Sequence, residues 1–136
     1  MDSEKVDDVL DRVDLEDRLG AMPELLREIS ELFLAEYGQL MEQLENAVVL
    51  KDAAAISSAA HALKGAVGNF SARPAREAAK RLELTARSGD LSCLGPLWNE
   101  LRTEIARLIP IIKLFKENGH TWSSKAAERI RAGSRE

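Results

Sequence analysis

The chain has 136 residues, a formal net charge of −4 at pH 7, 45% hydrophobic and 31% charged residues, and a single cysteine. That length suits one globular domain with its own core, and the composition excludes global disorder. The acidic balance argues against a nucleic-acid partner, and one cysteine excludes an intramolecular disulfide or a CxxC metal or redox site.

The first seventeen residues carry eight acidic and two basic side chains, interrupted by Val6, Leu10, Val13 and Leu15 at helix-compatible intervals. This pattern predicts one short amphipathic helix as a lid. The segment lacks the basic start and apolar core of a signal peptide, and no apolar run reaches the length of a spanning helix, so the domain is expected in the cytoplasm without direct membrane contact.

Pro23 suits the first turn of a second helix, along which Leu26, Ile29, Phe33, Tyr37, Leu40, Leu44 and Val48 advance by three or four residues at each step. Lys51 interrupts that stripe, and Asp52 is a fitting N-cap for a third helix through AAAISSAAHALKGAVGNF. Ala55, Ala59, Ala62 or Leu63, Ala66 and Phe70 are expected to face inward. Ser71 and Ala72 should turn the chain, and Pro74 opens a fourth helix carrying Ala75, Ala78 or Ala79, Leu82 and Ala86, which Ser88 to Asp90 end.

The fifth helix starts near Leu91, with Pro96 in its first turn, and its apolar pattern continues through Leu108 to Phe115, so Pro110 is expected to kink it rather than end it. Cys93, among Leu91, Leu94 and Leu97, is expected to pack inside. No segment alternates as a strand would. The fold class predicted is therefore all-α, an antiparallel up-and-down four-helix bundle with an additional short N-terminal helix. Residues 1–116 would form the domain and 117–136 a tail or short extra helix, which Trp122 could dock.

Within the third helix, His61, Lys64, Gly65 and Gly68 stand at i, i+3, i+4 and i+7 on one face. Each glycine costs about 1 kcal/mol relative to alanine in a helix interior, so two in one turn call for a reason outside helix propensity. A neutral imidazole nitrogen is a nucleophile toward phosphorus, Lys64 would supply positive charge near phosphoryl oxygens, and the glycines would clear room for a second protein. Each residue alone has a plainer reading: a structural histidine, a solvated lysine, a glycine that permits helix packing or marks an early helix end. His120 follows Asn118 and Gly119 in an expected turn and reads as exposed rather than catalytic, and neither histidine belongs to a metal-ligand cluster.

AHALKG at Ala60 to Gly65, followed at matching spacing by Gly68, Ala72, Leu82 and Glu83, resembles the central motif of the histidine-containing phosphotransfer (HPt) domain of two-component phosphorelays. LLREISELFLAEYGQLMEQLENAV resembles that family's long second helix, DLEDRLG at Asp14 to Gly20 its opening segment, and the likeness runs from about residue 13 to 109. Ser71 departs from it, standing where the family often has a glycine, and the chain beyond Phe115 lies outside it.

The resemblance implies a monomer that relays a phosphoryl group between receiver-domain aspartates without autonomous kinase activity. His61 would be the phosphoryl acceptor and donor, Lys64 would stabilise the phosphoryl oxygens, and Gly65 and Gly68 would lie in the docking surface. The implied partners are receiver domains of response regulators and of a hybrid histidine kinase, and the domain would be free-standing or the cytoplasmic module of a larger sensor kinase. It needs no cofactor of its own, magnesium being expected on the partner receiver. A receiver-binding adaptor without phosphate turnover and a structural helical interaction module are the alternatives. Six basic residues from Lys64 to Arg87, against Glu77 and Glu83, either steer an acidic receiver face or form an ordinary solvated surface.

Overall fold

A computed structural model describes residues 3–118 as helices α1 (Ser3–Val9), α2 (Arg12–Leu19), α3 (Pro23–Leu50), α4 (Ala53–Gly68), α5 (Arg73–Ser88) and α6 (Leu94–Asn118). Each of α3 to α6 packs on the next, and α6 closes the ring against α3. Short connections reverse the direction each time, which makes the four an antiparallel up-and-down bundle. Among the described residues there is no strand.

The N-terminal region corrects the single helix expected from sequence. Asp11 accepts a hydrogen bond from Asp14 N–H at 3.1 Å as the N-cap of α2, so the chain stops and restarts between two short helices. Val6, Val9, Leu10, Leu15 and Leu19 are buried, while Val13 faces solvent. Helix α1 packs against α5 and α6, and α2 against α3.

The long helices follow their apolar stripes. In α3, Leu26, Phe33 and Leu44 are buried, and its end is set by Lys51 at φ 54°, whose N–H turns back to the carbonyls of Ala47 and Val48. Asp52 then caps α4, accepting from Ala55 N–H at 3.1 Å. The inward face of α4 is Ile56, Ala59, Ala60, Leu63 and Val67, so Ala62 belongs to the exposed side. Phe70 closes that end of the core, edge-on to Phe33 at 5.5 Å and stacked on Phe115 at 6.4 Å.

Gly89 ends α5 at φ 80°, as its glycine permits. Cys93 is exposed rather than packed, because α6 begins one residue later at Leu94 and the chain ahead of it runs over the surface. Pro110 does not stop α6. Ile105, Leu108, Ile111, Ile112 and Phe115 are buried on both sides of it, and that packing outweighs the missing backbone donor. The helix passes the 116/117 boundary expected from sequence by two residues; His120 and Trp122 lie outside the described residues.

Candidate functional site

Helix α4 turns Ala60, Leu63 and Val67 inward, and the intervening positions therefore carry His61, Lys64, Gly65 and Gly68 on the outer face. His61 leaves 64% of its side chain exposed. Helix α5 packs more extensively on α4 than on any other element, and the buried faces of both are rich in alanine: Ala59 and Ala60 on α4, Ala75, Ala78, Ala79 and Ala86 on α5. Small side chains let the axes approach closely. A longer residue on that face of α5 is then driven against α4.

That residue is Glu83, whose side chain is 1% exposed. Its Oε2 lies 2.8 Å from His61 Nδ1, and its Oε1 accepts a hydrogen bond from Lys64 Nζ at 2.7 Å. Arg87, one turn further along α5, forms an ion pair with Oε2 at 2.9 Å, and its Nε donates to Ser57 Oγ at 3.4 Å. A buried carboxylate thus gathers an imidazole, an ammonium and a guanidinium.

The hydrogen bond from Lys64 is the largest influence on Glu83 and holds its carboxyl below the ordinary range; burial opposes this, and His61 and Arg87 add to the lowering. Glu83 is therefore ionised and can only accept hydrogen bonds. His61 Nδ1 must carry the proton in this pair. In the neutral ring the lone pair then belongs to Nε2, on the edge of the imidazole away from the buried acid.

Among the described residues nothing packs closely on Gly65 or Gly68, and Gly68 is the last residue of α4, in keeping with its reading as a helix end. Among the described residues, and apart from the backbone of its own helix, a Cβ on Gly65 would meet no atom within 4 Å, and one on Gly68 would make only an ordinary contact with Arg76 Cδ at 3.8 Å. The helix-packing reading of Gly65 therefore falls away, and what the missing side chain leaves beside His61 is open surface. Lys64 is not free-standing, since one of its donors is engaged by Glu83, but an ammonium has three.

The end of α4 is held from outside. Ser71, at φ 54°, follows the helix in the left-handed region, where glycine is the least strained residue. Its hydroxyl donates to Asp14 Oδ2 and accepts from Arg18, its carbonyl accepts from Asp11 N–H at 2.8 Å, and Arg18 also donates to Asn69 O at 3.2 Å. A cation on the last carbonyls of a helix complements its negative end. Helix α2 thereby fixes the turn that follows the His61 face.

Sequence reasoning brought His61, Lys64, Gly65 and Gly68 together on one face, and the structure does the same. It named Glu83 only as a position of the resembling motif, and gave neither Glu83 nor Arg87 a contact with them. The available signal was a lone carboxylate beside Leu82 on an otherwise alanine and leucine stripe, with an arginine at i+4. Among the described residues no group of three or more His, Cys, Asp or Glu side chains could hold a metal ion, and no helix is long and apolar enough to cross a membrane.

A protein-family model, the Hpt domain, matches residues 28–109, a span that starts within α3 and contains the whole α4–α5 site. The chain therefore belongs to the Hpt domain family, helical bundles that serve histidine phosphotransfer in two-component signalling and interact with receiver domains. No curated protein and no solved structure matches the chain.

Proposed function

We propose that this Hpt domain carries a phosphoryl group on Nε2 of His61, taking it from the aspartyl phosphate of one receiver domain and passing it to the aspartate of another, with a hybrid histidine kinase upstream and a response regulator downstream. The observation that carries this reading is the exposed His61 ring with Nδ1 on the buried, ionised Glu83.

In the forward step the Nε2 lone pair attacks phosphorus, the N–P bond forms, and the bond to the receiver's carboxylate oxygen breaks. The ring keeps its Nδ1 proton and becomes positively charged, and Glu83 offsets that charge across the hydrogen bond. No proton has to leave or arrive. The same arrangement serves the return step, in which the neutral imidazole departs, and a relay needs that reversibility.

Phosphoryl transfer depends on alignment and on stabilising charge at the phosphoryl oxygens. Lys64 would donate to those oxygens with its remaining hydrogens, Gly65 and Gly68 would admit the receiver, and magnesium would sit on the receiver. The domain would act as a monomer, its long helices burying their stripes against one another. The test is to incubate wild type and His61→Gln with phosphorylated receiver domains and measure acid-labile, base-stable phosphate on each. Incorporation into wild type alone is expected; equal incorporation into the variant, or none into folded wild type from donors shown to be active, would overturn the reading.

A further inference from the structure

We propose that Arg87 is a second phosphoryl ligand of the site, contacting the oxygens of the group on His61 alongside Lys64; the assignment rests on His61 being the carrier. Arg87 and His61 share one atom. Glu83 Oε2 lies 2.9 Å from Arg87 Nη2 and 2.8 Å from His61 Nδ1, so a single buried oxygen fixes the guanidinium as a neighbour of the imidazole. Ser57, four residues and so one turn before His61 on α4, accepts from Arg87 Nε at 3.4 Å, a second anchor that holds the side chain against α4.

Those anchors leave donors over. An arginine has five N–H groups in a planar fork, and Nη1 of Arg87 has no acceptor among the described residues. The fork matches phosphoryl oxygens two at a time, which an ammonium cannot do. Access also separates the two cations: the Lys64 side chain is 23% exposed and Arg87 60%. Of the two cations, Arg87 is therefore the more open to a group delivered from outside.

The charges support the same assignment. Phosphorylation brings about two negative charges on oxygen. The imidazolium formed in the step is matched by Glu83, which leaves two negative charges for two cations. Lys64 alone would leave the phosphorylated site with a net negative charge, and Arg87 completes the balance.

The experiment uses wild type, Arg87→Ala and Arg87→Lys, each charged from a phosphorylated receiver. It reads the equilibrium partition of phosphate between receiver and domain, and the guanidinium 15N and 1H resonances of Arg87 before and after charging. Arg87→Ala is expected to keep its circular dichroism spectrum and to shift the partition about tenfold toward the receiver, the loss expected for a charge-assisted hydrogen bond. Arg87→Lys should recover part of it. In wild type the Arg87 guanidinium resonances should move and exchange more slowly with water on phosphorylation, and in His61→Gln treated alike they should not.

A partition unchanged in Arg87→Ala, or one in which only the rate of uptake falls, would overturn the assignment and make Arg87 a docking contact at most. Unmoved guanidinium signals on a phosphorylated wild type would reduce Arg87 to a counter-ion of Glu83 and overturn it equally. Failure of wild type to take phosphate at all is a different result: it removes the carrier reading, and this assignment falls with it.

Discussion

The imidazole of His61 and the carboxylate of Glu83 act as one unit, and their chemistry predicts a graded response to substitution. Glu83→Gln keeps a carbonyl that can accept the Nδ1 proton, so it preserves the tautomer and loses only the charge that offsets the phosphorylated ring. Glu83→Ala loses both. Phosphate uptake from a receiver should therefore fall in the order wild type, Gln, Ala, with the alanine variant lower by roughly tenfold to a hundredfold, the scale of loss when the partner that orients a metal-bound histidine is removed. Initial rates of phosphate incorporation, with thermal melts to show that each variant is folded, check this, and an alanine variant as fast as wild type would contradict it. His61 was legible in the sequence because a nucleophile, a cation and two glycines repeat on one helical face. Glu83 was legible only as a position of the resembling motif and its role was not, because that role lies in a contact between residues twenty-two apart on two helices, and a single chain does not print which side of α5 meets α4.

At the scale of the element, α4 gives up helix propensity where its neighbours in the bundle demand nothing. Gly65 sits in the helix with open space where a Cβ would be, so Gly65→Ala should stabilise the domain by about 0.5–1 kcal/mol, the backbone-entropy difference between the two residues. Gly65→Leu should fold as well as wild type and yet take phosphate slowly, because its side chain projects into the surface beside His61. Urea midpoints and receiver-dependent uptake, measured on both variants, separate these effects; a leucine variant that docks and reacts normally would show that the glycine serves no partner. The helices were readable because periodicity and caps agree: Asp52, Pro23, Pro74 and Gly89 all lie at boundaries. The missed features are helix boundaries and a turn held by tertiary contacts. Asp11 divides the N-terminal segment, Cys93 falls one residue outside α6, and Ser71 takes a left-handed conformation that its bonds to Asp14 and Arg18 hold in place.

For the whole molecule, the consequence of building a site around a buried carboxylate is sensitivity to acid. Glu83 has its folded-state pKa lowered from an ordinary value of 4.5, with the Lys64 hydrogen bond as the largest cause, and Asp14, bonded first to Ser71 and then to Arg18, is lowered from 3.8. A carboxyl depressed on folding binds its proton more readily in the unfolded chain. Its contribution to stability is therefore complete above the unfolded value and is lost as pH falls through the folded one. Glu83 is the group to follow, since it is buried while Asp14 is exposed and screened by solvent. Urea midpoints of wild type should hold steady above about pH 5 and decline below it, whereas Glu83→Gln, which has no proton to take up there, should decline less steeply over the same interval. Parallel curves for the two proteins would mean that the ion cluster under His61 contributes no differential proton binding. A shallower curve for the variant would tie the acid limit of the fold to the carboxylate that orients its histidine.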